Sequence, residues 1–347
     1  MKEKKKEIIN FSTVKYLQFP TILNKFYKEF FLKVYMKTYD LVIIGLGPAG
    51  YSAAIYAGRY KIDVLLVGQI PGGIAGTAHD VRNYAGFEKI SGMELMMKMH
   101  KQIEALEIPI KQDLVENIKK TNEGFLIKIN KEEILAKKLI ISTGTQRREL
   151  GILREKELVG KGISYCATCD AGFYKDKIAA VVGGGDAALT AALLLAKFAK
   201  KVYIIYRKPE FTKAEIAWVD EVQNTENIEV IFNTEVKELL GEEKLEKIKL
   251  NQGEDLELDG LFIEIGGTSN TKLAEELNLE LENGEIVVDK NQETNVSGVF
   301  AAGDVANKPF KQMITAAGDG ATACYSAYKQ LQKEKASFRR ITEQVQN

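Results

Sequence analysis

The chain has 347 residues, 45% of them hydrophobic and 28% charged, and its 48 basic and 48 acidic side chains cancel to a formal net charge of zero. That length exceeds one ordinary core and predicts two domains. The charge balance excludes a chain built to coat nucleic acid, and no apolar run reaches the length that spans a bilayer. Residues 1–35 differ from the rest of the chain: they are rich in Lys and aromatics and contain no glycine. Lys15, Lys25, Lys28 and Lys33 interrupt every apolar stretch, and no small-residue cleavage site is evident, so this is not a secretory signal. A weakly ordered extension is expected, with Met36 just ahead of the first strand; a basic amphipathic surface helix is the sharper alternative.

The first element is in "TYDLVIIGLGPAGYSAAIYAGRY". Leu41 to Ile44 is a short unbroken apolar run, as a buried parallel strand requires. Gly45, Gly47 and Gly50 follow as G-x-G-x-x-G, Pro48 to Tyr60 is helical and Ala-rich, and Asp63–Val67 is the next strand. A glycine turn between a strand and a helix is a dinucleotide site: backbone approaches the pyrophosphate, and the helix start offers N–H groups. Ala136 to Leu150 then reads as a strand followed by Thr143-Gly144, a crossover between domains.

"SYCATCDAGFY" holds Cys166 and Cys169, with Asp170 directly behind. By itself it could be half a zinc site, a redox disulfide or two unrelated thiols. A zinc site needs about four ligands, and the remaining candidates, Cys324, His79 and His100, form no second close pair. No metal is expected. Three cysteines are too few for a disulfide framework, so a reducing, cytoplasmic setting is expected. Cys324 reads as a buried packing residue.

The glycine pattern recurs at once. Ile178 to Val182 is a strand, Gly183, Gly185 and Ala188 form the G-x-G-x-x-A variant, a helix runs to about Ala199, and "KVYIIY" is the next strand. Two such units suggest two nucleotides exchanging electrons, such as a flavin and a nicotinamide. The second strand ends in "YRKPEFTK", where Arg207, Lys208 and Lys213 suit an extra ribose phosphate better than a bare ribose. Towards the end, Gly298 to Leu331 reads as a strand, then Gly303-Asp304, then a long helix starting near Thr315. Asp304 is placed either to hold a ribityl or ribose hydroxyl or to cap that helix.

Taken together, "GLGPAG", "PGG", "VRNYAGF", "STG", "CATCD", "VVGGGDAA", "YRK" and "FAAGD…KQMITAAGDG" resemble, in order, the low-molecular-weight thioredoxin reductases. The resemblance covers about Tyr39 to Leu331. It implies an α/β fold of two Rossmann-like dinucleotide-binding domains of the three-layer ββα type, the nicotinamide domain inserted in the FAD domain. The FAD domain would comprise 37–147 and 268–334, and the nicotinamide domain 148–267. FAD would lie on Gly45, Gly47, Pro48, Ala49 and Gly50, with contacts from Gly72, Gly73, Asn83, Thr143, Gly144, Gly303, Asp304, Lys311, Gln312 and Met313. NADPH, with NADH as the alternative, would lie on Gly183, Gly185, Asp186, Ala187 and Ala188, with Arg207, Lys208 and Lys213 near the ribose phosphate. Cys169 would face the flavin, Cys166 would exchange with thioredoxin or a similar protein, and Asp170 would carry protons. The inserted domain would rotate between half-reactions about Thr143-Gly144 and Gly266-Gly267.

A homodimer is implied by the resemblance alone; no nucleic-acid or membrane partner is expected. Thr190 and Ala191 stand where the family usually has a Glu pair, Tyr206-Arg207-Lys208 where it has His-Arg-Arg, and Thr212 or Lys213 where it has a later Arg. Arg82 replaces a usual Glu, Ala85 a Pro, and Lys311 an Arg. The alternatives are the flavoprotein of a peroxide-reducing system, which carries an extra N-terminal redox domain, and a ferredoxin–NADP reductase, which lacks the Cys pair. A nucleotide-binding module without catalysis is a third, disfavoured by two nucleotide sites beside the cysteine pair.

Overall fold

Leu41 and Ile43 face one side of the first strand and Val42 and Ile44 the other, and all four are buried. Side chains alternate across a strand, so an unbroken apolar run must be covered on both faces. The computed structural model describes residues 36–346, and the extension expected over residues 1–35 lies outside them. Strand β1 (Thr38–Ile44) leads into helix α1 (Pro48–Arg59) and returns as β2 (Val64–Gly68), parallel to β1 with Leu41 opposite Val64. Helix α2 (Gly92–Ala105) starts at Ser91, whose Oγ accepts the Glu94 N–H at 3.2 Å. That bond satisfies one of the unpaired donors of the first turn.

Strand β3 (Ile110–Gln112) adds to β2, and β4 (Val115–Thr121), β5 (Gly124–Ile129) and β6 (Glu132–Ile141) form an antiparallel meander. The sheet order is β3-β2-β1-β6-β5-β4. Short β7 (Thr145–Arg147) then carries the chain out of this outer half.

The inserted half repeats the plan. Strands β8 (Ile163–Ser164), β9 (Ile178–Val182), β10 (Lys201–Ile205) and β11 (Ile228–Ile231) are interleaved with helices α3 (Asp186–Ala196) and α4 (Ile216–Gln223). A second meander comes next, β12 (Val236–Leu240), β13 (Lys247–Leu250) and β14 (Leu256–Glu257), and β15 (Gly260–Ile263) returns to the parallel sheet. That sheet has the order β11-β10-β9-β15-β8. Ala179 and Val181 of β9 pack toward α3 and α4, while Ala180 and Val182 pack toward the meander. Helices, sheet and meander are therefore three layers, and one strand serves two cores.

Strand β16 (Gly267–Ser269) leads back, antiparallel to β7, with Gly267 opposite Arg147. After a short helix and the hairpin β17 (Leu281–Glu282) and β18 (Glu285–Ile286), β19 (Val299–Ala301) joins β6 in parallel. The last helix, α5, spans Met313–Gln346 and packs on α1. The sequence pattern puts its end near Leu331. Beyond that residue the helix continues through ion pairs instead of apolar contacts, Glu334 to Lys138 and Lys335 to Asp40, so the hydrophobic period gives no signal there. Helix α3 stops at Ala196 and not near Ala199, because Lys197 and Phe198 close the end with turn bonds to Leu194 and Leu195. Among the described residues no helix is long and apolar enough to cross a membrane, and no group of His, Cys, Asp and Glu could hold a metal ion.

Candidate active site: a dithiol between two glycine turns

Cys166 and Cys169 form a disulfide across the single helical turn Ala167–Asp170. Cys166 is the N-cap of that turn, and its Sγ accepts the Cys169 N–H at 3.2 Å. An amide donor aimed at a sulfur favours its thiolate form once the disulfide opens. The Ser164 hydroxyl donates to Asp170 Oδ2 at 2.7 Å and accepts the Cys166 N–H at 3.0 Å. Ser164 is buried, so it fixes Asp170 against the cysteine backbone. Cys169 and Thr168 are exposed, and Cys166 is half-buried. Phe173, on the following turn, is 73% exposed. Cys324, the third cysteine, is fully buried in the core between α1 and α5, and burial pushes its thiol up to about 12.

The two glycine turns share one construction. Gly45 has φ +125°, and a Cβ there would lie 2.1 Å from the carbonyl oxygen of Ser142, just past the end of β6. Gly183 has φ +147°, and its Cβ would lie 2.2 Å from the carbonyl oxygen of Glu264, just past the end of β15. Each turn thus leans on the neighbouring central strand, and only glycine fits. The middle glycines, Gly47 and Gly185, have nothing within 4 Å of a built Cβ. Neither helix carries a side-chain cap, and the first turn of α1 holds no acid. Open space and uncapped N–H groups fit a pyrophosphate at both turns.

Around the first turn, Gly72 donates to the Leu46 carbonyl at 2.9 Å, and a Cβ on Gly73 would lie 3.3 Å from Gly47 Cα. Gly303 lies against Ala49, where a Cβ would come 3.0 Å from the Ala49 Cβ. Gly72, Gly73 and Gly303 are thus gathered on the first glycine turn. Asp304 does not cap a helix: α5 starts later, and the Gln312 N–H is taken by Thr315 Oγ1 at 3.0 Å. Burial pushes the Asp304 carboxyl up; Lys311 opposes it, while Asp319 and Glu285 add to it. Lys311 bonds to Glu285 and, at 2.9 Å, to the Asp304 carbonyl. Thr143 Oγ1 donates to the Asn270 carbonyl at 2.8 Å, tying the two crossovers together. Met313 packs against the α1 side of the core.

A cavity of about 670 Å³ opens at the second turn, a size that accommodates a large cofactor. Gly183, Gly185, Asp186, Ala187, Arg207, Lys208 and Lys213 all line it, while Ala188 is buried beneath the turn. Gln312 of the outer half lines it too. Arg207 and Lys213 form no salt bridge among the described residues, which leaves their charge for a ligand. Lys208 Nζ rests on Thr212 Oγ1 at 3.3 Å.

Sequence reasoning missed Arg148, Lys237 and Glu264 in this cavity. Glu264 is pushed up to about 7 by burial, against the pull of Arg147 at 3.5 Å. The turn geometry offers the signal: Glu264 follows β15 as Ser142 follows β6, so matching the two repeats would place it.

Residues 39–320 match the family model described as pyridine nucleotide-disulphide oxidoreductase. The thioredoxin reductase of Mycoplasma genitalium is 40% identical over 293 residues, covering 82% of this chain and 93% of its own. The crystal structure of Lactococcus lactis thioredoxin reductase in its FR conformation matches with a TM-score of 0.82 at 35% identity, covering 85% of this chain and 99% of its own. The thioredoxin reductase of Streptococcus pyogenes, at 34% identity and the same coverage, gives a TM-score of 0.58.

Proposed function

The chain belongs to the pyridine nucleotide-disulphide oxidoreductase family, and from that membership we propose that it is a thioredoxin reductase, in which bound FAD carries two electrons from NADPH to the Cys166–Cys169 disulfide, for delivery to thioredoxin. The observation that carries the reading is the disulfide on its helical turn, with Cys169 exposed, next to the Ser164–Asp170 hydrogen bond and just ahead of the second glycine turn.

The chain's own residues account for the exchange chemistry. With the dithiol reduced, the Cys166 thiolate, stabilised by the Cys169 amide, attacks one sulfur of the partner disulfide. The partner's other sulfur leaves as a thiolate and takes a proton. Cys169 then loses its proton and attacks the Cys166 sulfur, restoring the intramolecular disulfide and releasing the partner's second thiol. The proton transfers fall to Asp170, the carboxylate directly behind Cys169, which Ser164 holds in place. Phe173 supplies exposed apolar surface beside the exchange site for a protein partner. Asp170→Asn keeps the size and the Ser164 contact and removes the proton carrier. Its thioredoxin turnover is expected to fall about 10²- to 10⁴-fold, with flavin reduction unchanged, as stopped-flow absorbance reports separately for each half-reaction. Unchanged turnover would remove Asp170 from the mechanism.

The preference for NADPH rests on Arg207, Lys208 and Lys213. Anaerobic titration is expected to bleach the flavin at lower NADPH than NADH. The pair Arg207→Ala and Lys208→Ala should raise the KM for NADPH about 10- to 100-fold and leave that for NADH in place. Bleaching by neither nucleotide would point to another electron donor. The family also carries the expectation of a homodimer, which the mass in solution tests.

A further inference from the structure

The loop from Thr77 to Asn83 belongs to the outer half, yet it reaches across to the inserted half. The Thr77 carbonyl accepts the Thr168 hydroxyl at 2.6 Å, between the two cysteines. Asn83 Nδ2 donates to Glu215 Oε1 at 2.7 Å. Arg82 makes two contacts. Its guanidinium carbon lies 4.6 Å from the centre of the Trp218 ring, and its Nη1 is 3.1 Å from Glu221 Oε2. Glu215, the N-cap of α4, is followed at spacings of three by Trp218 and Glu221, so each neighbours the next on the helix surface.

Arg82 is also gripped from its own side. Asp80 takes its Nη2 at 2.7 Å and its Nε at 3.2 Å, and Lys89 completes the cluster at 2.9 Å from Asp80. A planar guanidinium held this way is pre-aimed, leaving Nη1 and one ring-facing surface for the other half. In this arrangement Gln312 of the outer half borders the second-turn cavity, while Cys169 stands in solvent. The second-turn cavity is therefore presented to the outer half, and through Thr168 the cysteine turn also touches it. If the inserted half rotates between half-reactions, every contact of this loop with α4 breaks.

We propose that Arg82 is a positioning residue, a latch that holds the inserted half in the arrangement that accepts electrons and sets how often it releases to reduce Cys166–Cys169. This deepens the thioredoxin reductase reading and rests on it. It is particular to this chain, because a Glu at this position would face Glu221 with like charge.

Trp218 is the only tryptophan in the sequence, so its emission reports the latch directly. Energy transfer from Trp218 to bound flavin would be measured by time-resolved fluorescence of the oxidised, flavin-loaded protein, with no nucleotide or thioredoxin present. Arg82→Glu is expected to lower the ratio of flavin-adjacent to remote lifetimes about tenfold, through loss of a cation–π contact and an ion pair. Glu221→Arg alone should lower it less, by removing one attraction. Combining the two should recover a large part of the loss, because the charges are exchanged. The same order should appear in the amplitude of the fast phase of flavin reduction. Unchanged lifetimes in both single variants, or a double variant no better than Arg82→Glu, would overturn the latch. A protein that binds flavin and shows the lifetime changes but reduces no thioredoxin would overturn the functional reading and leave the latch standing.

Discussion

Cys166→Ser and Cys169→Ser are each expected to lower thioredoxin-reducing turnover by about 10³-fold or more, while the flavin stays bound and still bleaches with the nucleotide. A serine hydroxyl cannot form or break the sulfur–sulfur bond, so no electrons leave through the pair. The two variants differ in what they leave behind. With Cys169→Ser, Cys166 keeps its N-cap position and still attacks the partner, and nothing resolves the mixed disulfide. A covalent complex with thioredoxin then accumulates and is seen by mass spectrometry under non-reducing conditions. With Cys166→Ser, the remaining sulfur lacks the amide donor that Cys166 accepts from Cys169, and much less complex forms. The reverse pattern would exchange the roles of the two cysteines. Full turnover in either variant would remove the disulfide from the route.

Gly45→Ala is expected to yield a colourless, less stable protein. The new methyl group would sit 2.1 Å from the Ser142 carbonyl at φ +125°, a conformation hostile to any L side chain. Ser142 cannot give way: its N–H and its hydroxyl both bond to the Ile44 carbonyl, at 2.8 and 2.9 Å. The cost is about 3 kcal/mol or more, a fall of about 5–10 °C in Tm for a chain of this size. Gly47→Ala is the informative control. Its methyl meets nothing within 4 Å, so the apoprotein should melt near the wild-type temperature while flavin affinity drops, the methyl filling the space intended for the pyrophosphate. Equal Tm losses in the two variants would contradict this division of labour.

Both glycine turns and the strands that flank them were legible in the sequence, because each rests on local rules: an unbroken apolar run, a glycine spacing, a helix pattern. The repetition pointed to two nucleotide units, while the disulfide and the inserted-domain fold were legible only through the family resemblance. Contacts between segments far apart in the chain were not legible. Arg82 looked like a departure at a flavin contact, and only the fold sets it on Trp218, more than a hundred residues away. Glu264 follows an apolar strand and carried no motif, yet it closes the second turn and pairs with Arg147. The very short strand β8 also escaped notice, since a strand of two residues leaves no readable period, and β7 and β16 were expected only through the hinges that the resemblance set at Thr143-Gly144 and Gly266-Gly267. The limit is physical: periodicity encodes which face is buried, and says nothing of which distant segment covers it.

The pairing of β7 with β16 has a further consequence. Arg147 lies opposite Gly267, so the inserted half leaves and re-enters the chain at adjacent points. Such an insertion is a module with a single doorway. The outer sheet needs none of it to complete its own hydrogen bonds, and a tight turn from β7 to β16 would close the gap. The same geometry makes the doorway an ideal graft point, because a foreign domain with neighbouring termini could occupy it without disturbing either strand.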